Sequence, residues 1–511
     1  MADAWQTFPV QFQGGLITNI SPIQLGLQAS GAATTLRNFE PSVEGGYKKV
    51  LGYTKYDTNV LSGSGVVRGV FLYGSDVLAV RGSHVYKSAG SGWTQLTDNA
   101  SFSSTGVTLG GTGKVRFAKF NFNGTEKVLI TDGTGKPFQF DGTTFEQLTS
   151  LGTDFSGCSN VIVFNTHIVF VNGTKLLYSA PLDLTFTAAS GAGTIDFTDT
   201  ITNVIEFREQ LIIFSKSKIK RVSGGFTGNF ILESVSDDMG CIAEDTAKEV
   251  AGDVIFLGPD GLRTLGGTER IGDFNLALIS RSIQREVTKF TDTFTNFASL
   301  VIRGKSQYRI FAYQSTIPST SSAGLLATQT ENGFSWAELR GFKVHVAHSE
   351  YKSITDNEVI YFANDDGYVY QMESGFTFDT ANINASYVGP DLSITDPRIR
   401  KTLYKANLYI KSDDSVLIKY GNTSAQYGSS IYSQASASFD FNVLFDYSEQ
   451  STNTVQPDLI TLNGKSPFQN KFSFPLIGSG FTATIQVSAN NAQPSFSLDS
   501  IMFDYTNHDR R

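Results

Sequence analysis

At 511 residues the chain is too long for one hydrophobic core of ordinary size, so two or three domains, or one large repeat architecture, are expected. Charged residues are only 17%, and 49 Gly, 40 Phe and 20 Tyr take their place, a composition suited to short pleated strands and tight turns. A net charge of −8 argues against a bulk basic field for gripping nucleic acid, and two cysteines give neither a disulfide framework nor zinc spacing.

Residues 1–65 read as an extended arm. Their start has neither the basic nor the apolar stretch of a secretory signal, and no apolar run in the chain reaches the roughly 18 residues of a membrane helix. Synthesis in a cytoplasm and no membrane anchor are therefore expected. Pro41 interrupts the densest part of the arm, Gly45-Gly46 turns it, and 47–53 forms a short strand. Lacking a core of its own, the arm should pair with a sheet edge, order only partly in isolation and dock when copies assemble.

From residue 66 a pattern recurs. Strands are expected at 66–73, 77–81, 84–87 and 93–97, then again at 115–122, 127–131, 137–140 and 145–149. The turns of the second unit are Asn123-Gly124, Asp132-Gly133 and Asp141-Gly142, and the unit endings align as Trp93-Thr94-Gln95-Leu96-Thr97 and Phe145-Glu146-Gln147-Leu148-Thr149. Four short antiparallel strands joined by such turns are the pattern of a propeller blade. Looser copies follow at 161–178, 204–233, 254–265, 299–339 and 359–371, giving six or seven blade-like units. Short helices are expected at 240–250 and 275–287. After Thr395-Asp396-Pro397 the rhythm changes: strands at 402–412, 416–420, 472–474, 481–487 and 496–505, with a polar loop at 421–440, suggest a small sandwich. The expectation is thus an all-β chain: an extended N-terminal arm (1–65), a β-propeller-like core (66–390) and a C-terminal β-sandwich (391–511).

No motif demands catalysis. His345 and His348 are the one close pair among five histidines, and three positions apart on a strand they face opposite sides. Gly110-Gly111-Thr112-Gly113-Lys114 resembles a phosphate cradle but lacks the Walker spacing and leads into a strand, so turn glycines are the simpler reading. Asp237-Asp238, Asn364-Asp365-Asp366-Gly367 and Asp413-Asp414 lie between strands, where Asp and Asn form turns, and none matches a calcium loop. Ser88 to Trp93 has the flavour of a sialidase Asp-box without its Asp or spacing. Cys158 and Cys241 read as buried thiols, and the aromatic residues as packing between blades. No catalytic, cofactor-binding or metal-ligating residue is expected, and no cofactor.

The stretch from Asn38-Phe39-Glu40-Pro41 through Gly45-Gly46-Tyr47-Lys48-Lys49-Val50-Leu51-Gly52-Tyr53, followed by blade-like units, resembles the start of tail proteins of short-tailed phages. Asp238-Met239-Gly240-Cys241-Ile242-Ala243, the strand pair at 254–263, and the closing strand 495–505 with Arg510-Arg511 resemble further segments of that group. It comprises the tail nozzle (tail tubular protein B) and the hub or packaged-DNA stabilisation proteins. The resemblance implies a structural virion component: a hexameric ring of this chain below the portal and adaptor. Such a ring contacts portal-complex proteins and tail fibres or spikes, retains the packaged genome and passes viral DNA without sequence-specific contact. It supplies no site residues. The alternatives are a host-receptor-binding or polysaccharide-active tail protein, and a cellular interaction module.

Overall fold

A computed structural model describes residues 5–97, 109–122, 124–224, 230–269, 278–352, 355–412, 437–446, 454–462 and 470–508. The chain is all-β with a propeller-like ring at its centre. Five sheets stand alone, each an antiparallel succession of neighbouring strands. The first blade is Val67–Tyr73, Asp76–Arg81, His84–Ser88 and Thr94–Gln95. The second is Arg116–Phe122, Thr125–Thr131, Phe138–Phe140 and Phe145–Gln147. The third runs from Asn160–Phe164 to Gly193–Asp196 and the fourth from Asn203–Phe207 to Phe230–Ser236. The fifth has three strands, Lys248–Val250, Asp253–Gly258 and Gly261–Thr264. Their turns are local: the Asp141 carboxylate accepts the amides of Thr143 and Thr144 at 3.0 and 2.7 Å, and Asp132 does the same for Thr134 and Gly135.

The expected six or seven blades are therefore corrected to five. The repeats at 296–339 and 346–372 do not stand as separate sheets. Strands Thr35–Arg37 and Tyr53–Lys55 of the arm, with Thr377–Phe378 and Ala381–Val388, bridge them into one fourteen-stranded sheet. Its two end strands, Asn296–Ile302 and Val346–Lys352, touch each other, so the sheet runs nearly round on itself. Those same strands meet the fifth and first blades and complete the circle.

Each interface between successive blades carries its own apolar cluster. Leu78 and Val80 meet Val128 and Ile130 between the first and second blades, and Phe214 and Ile219 meet Val254 and Phe256 between the fourth and fifth. Val67 and Val77 meet Tyr361 and Val369 where the ring closes. Each fully buried side chain of this kind contributes roughly 1.5–3 kcal/mol. The period-two pattern of the strands thus faces each sheet's two sides to two different neighbours.

The arm is not a free extension awaiting a partner copy. Gln6–Gln11 pairs with the last strand, Phe496–His508, from Gln6 opposite Tyr505 to Gln11 opposite Ser500. Phe39–Pro41 and Tyr47–Lys49 complete a six-stranded sheet with Phe496–His508, Arg400–Ser412 and Asn470–Gly480. Leu16, Leu36, Phe39 and Tyr47 are fully buried. The second layer of the sandwich is Ala437–Phe445, Ala483–Asn491 and Ala381–Val388. Phe439 stacks on Phe496 at 4.6 Å between the layers, and Phe441 meets Phe474 edge-on at 4.9 Å. The sandwich therefore draws on the arm and on 381–388 as well as on residues beyond 391.

Residues 240–250 are not helical. They form a loop leading into Lys248–Val250, with Asp245 in the left-handed region at φ 60°. Of the second expected helix, 275–277 lie outside the described residues; a 3-10 turn at Arg281–Ile283 leads into a helix at Gln284–Thr293, which buries Val287 and Phe290. The expected strand at 416–420, Asp413-Asp414 and most of the polar loop (421–436) also lie outside the described residues.

Candidate functional site

The first strands of the first, second and fifth blades, with the two end strands of the fourteen-stranded sheet, flank a cavity of about 170 Å³, lined by Gly69 and Phe71, Arg116 and Phe117, Asp245 and Lys248, Ser299, and His348. Gly69 is required by this geometry, since a Cβ there would stand 2.7 Å from the Phe117 ring. The wall it leaves is aromatic: Phe71 stacks on Phe117 at 5.3 Å, and His348 lies 4.6 Å from Phe71.

Charged side chains cross the cavity between blades that are not neighbours. Arg116 Nε lies 2.8 Å from Asp245 Oδ1, its Nη2 reaches Glu244 at 3.2 Å, and Lys114 Nζ lies 2.9 Å from Asp245 Oδ2 while also donating to the Phe297 carbonyl. These contacts tie the second blade to the fifth. Lys119 Nζ reaches Glu350 Oε1 at 2.6 Å, tying the second blade to Val346–Lys352.

The loop at 240–246 is held by tertiary bonds. Asn203 Oδ1 accepts the Asp245 amide at 3.2 Å, Ser299 Oγ donates to the Asp245 carbonyl at 2.5 Å, and Tyr308 donates to the Thr246 carbonyl at 2.7 Å. Cys241 is fully buried beside Thr246 and Asn203; burial raises its thiol pKa, so it is an inert packing group.

Burial opposes ionisation of Asp245, but Arg116, Lys114 and Lys248 outweigh it and hold the carboxyl well below the usual range. Glu350 behaves alike: burial is outweighed by His348 and Lys119. Burial lowers the His348 pKa against the pull of Glu350, so at neutral pH its Nε2–H donates to Glu350 across 3.0 Å as a neutral imidazole. Among the described residues His348 hydrogen-bonds no serine, threonine or cysteine. Glycoside hydrolysis needs one carboxyl raised to act as acid beside one kept ionised. Both carboxylates here are depressed.

Several of the other residues singled out in the sequence have structural partners. His345 Nδ1 donates to the Val67 carbonyl at 2.9 Å; burial and then the Lys114 charge lower its pKa to about 4, so it stays neutral. In the glycine run, the carbonyls of Gly110 and Gly113 accept from Arg68 at 2.8 and 2.7 Å, with Gly82 the third acceptor at 2.8 Å. An anion cradle would instead present amides. In the cluster at 364–367, Asn364 Oδ1 accepts the Asp366 amide, Asp366 accepts from Tyr368 and Tyr370, and Asp365 pairs with Lys343. Ser88 donates to Asp57 at 2.8 Å, a bond between the first blade and the arm. No group of three or more His, Cys, Asp or Glu among the described residues is placed to hold a metal ion. No described helix is long and apolar enough to cross a membrane.

Sequence reasoning missed Arg116, Asp245, Lys248 and Glu350, and set Lys114 aside with the glycine run before it. Their one sequence signal is a charged residue within or beside a strand that starts a blade-like repeat.

No family model and no curated protein matches the chain. Among solved structures it is similar to the extracellular domain of a putative one-component system from B. thetaiotaomicron, with a TM-score of 0.39 at 11% identity. That match covers 69% of this chain and 43% of the sensor chain, less than half of the latter's length. A computationally designed protein, Ika8, gives 0.34 at 9% identity over 62% of this chain and 99% of its own. An exo-β-1,3-galactanase from Phanerochaete chrysosporium gives 0.27 at 10% identity over 89% of this chain and 100% of its own.

Proposed function

We propose that the chain is a structural, non-catalytic component of a short phage tail, a nozzle or hub ring below the portal and adaptor. In this reading it forms part of the DNA channel, retains the packaged genome and passes it on ejection. The observation that carries the reading is the weave of the arm. Its strands Thr35–Arg37 and Tyr53–Lys55 enter the fourteen-stranded sheet, while Phe39–Pro41 and Tyr47–Lys49 enter the six-stranded sheet. Ring and sandwich cannot separate without stripping ladder hydrogen bonds, a construction suited to a part that bears force. The depressed carboxylates of the central cavity support a non-catalytic role.

Assembly would be a hexameric ring of heterologous interfaces closed by rotation. The virion is its place, with adaptor, portal and fibre or spike proteins as partners. Ion pairs brace the centre of each propeller-like ring, so DNA in this reading passes between copies and not through one chain. Immunogold labelling of intact particles with antibody to this chain tests the reading. Gold at the single tail vertex is the expected result; absence of gold from every particle, with the antigen detected in disrupted ones, overturns it.

A further inference from the structure

Arg116, Asp245 and Lys248 line the central cavity, and the cations in and beside it outnumber by one the carboxylates that pair with them. Lys114, Arg116 and Lys119 are engaged by Asp245, Glu244 and Glu350. Lys248 lines the same cavity from the first strand of the fifth blade. Among the described residues its ammonium makes no hydrogen bond and no ion pair within 4 Å. Asp245 attracts it, but that carboxylate is already shared by two cations, and Arg116, Lys114 and Arg303 repel it. His348, neutral and committed to Glu350, adds no charge. An unpaired ammonium in a partly desolvated site is a strong attractor for an anion.

Two features narrow the anion. A single excess positive charge is neutralised by a monoanion, while a phosphate dianion would leave the site overcharged beside Asp245. The same lining includes the stacked Phe71–Phe117 pair, with the His348 ring against Phe71, an apolar surface that a bare inorganic ion leaves uncovered.

We infer that this cavity binds the carboxylate of a small organic acid, with the Lys248 ammonium as its charge partner and the Phe71–Phe117 pair against its apolar body. The volume of about 170 Å³ limits the ligand to a small molecule. The inference does not depend on the tail reading: a structural ring and a free-standing protein would carry the same site.

The test uses the full chain. Lysines are acetylated with an amine-reactive ester and the rate at each is read by mass spectrometry, with sodium benzoate as the probe and sodium phosphate at matched ionic strength as the comparison. At a benzoate concentration about five times the midpoint, labelling of Lys248 should slow about sixfold by simple mass action, saturably, while surface lysines do not change. Phosphate should leave Lys248 unchanged. Calorimetry should show saturable benzoate binding in the natural chain, retained in Lys248→Arg and lost in Lys248→Met. Equal protection by phosphate, or labelling of Lys248 indifferent to benzoate, overturns the assignment. The labelling is read on the unsubstituted chain, so poor folding of a variant cannot mask the result.

Discussion

Glu40 is the most deeply buried of the side chains that fasten the arm ionically to the ring, and its replacement should weaken that fastening. Its carboxylate is 3% exposed and accepts from Lys305 Nζ at 2.6 Å, Arg309 Nη2 at 3.0 Å and Gln307 Nε2 at 3.2 Å. Arg309 is fully buried, and Glu373 pairs with both cations at 2.8 and 2.5 Å, so the cluster is neutral with two charges of each sign. Glu40→Gln leaves it with a net positive charge beside the fully buried Arg309. Breaking a buried pair by removing one partner costs about 3–5 kcal/mol. The amide keeps some hydrogen bonding, so the lower figure, about 3 kcal/mol, applies, roughly two decades in the local folding equilibrium. Trp336 reports on this sheet: it is fully buried and donates to the Ile279 carbonyl at 3.0 Å. A urea titration followed by its emission should show the red shift at a lower midpoint. The double variant Glu40→Met with Arg309→Met removes one charge of each sign and should recover much of the loss. An unchanged midpoint for Glu40→Gln, or a double variant as unstable as the sum of its parts, would refute the reasoning.

Three further outcomes are open to direct measurement. Glu373 has its pKa lowered from 4.5 to about 2, against burial, by Arg309 and Lys305; its contribution is therefore present above about pH 4.5 and lost as pH falls toward 2, and the urea midpoint of the natural chain should fall through that window. Burial lowers Lys49 from 10.5 to about 8, and only neutral acceptors, Asn491 and the Gln493 carbonyl, meet its ammonium. Between those values the unfolded chain binds more protons, so stability should rise with pH by up to about 3 kcal/mol relative to Lys49→Met, and an identical pH profile for the two would sink this account. Gly52→Ala places a Cβ 1.9 Å from the Thr377 carbonyl oxygen and should displace Tyr53–Lys55, lowering the urea midpoint by more than about 2 kcal/mol, while Gly113→Ala, with nothing within 4 Å, serves as the matched control.

The parts of the fold legible in the sequence are those whose partners are near in the chain. Both aligned endings, around Trp93 and Phe145, fall on fourth strands of blades, at Thr94–Gln95 and Phe145–Gln147. A hairpin turn such as Asn172-Gly173 specifies its own pairing, Asn172 opposite Lys175, without help from elsewhere. The fourteen-stranded sheet had no such local signature. Thr35 pairs with Val388 and Arg37 with Glu338 as well as Ser386, separations at which a short strand carries no information about its partner. The blade count erred for this reason: the later repeats have the right turns, but the arm strands that fuse them lie far upstream.

The cavity was illegible for a related reason. Residues 243–250 carry strong helix formers, and local propensity argues for a helix. The chain instead places Asp245 at φ 60°, held by Asn203 and Ser299 and facing Arg116 and Lys114 from another blade. The glycine run before Lys114 has the look of a phosphate cradle, yet its carbonyls bind Arg68 while the lysine beyond it pairs with Asp245. The charges gathered at the centre come from the first strands of the second and fifth blades, the stretches just before them, and Val346–Lys352, and these are separated in sequence by whole blades. Charged residues on such strands are the ones a ring must gather, whatever the spacing between them.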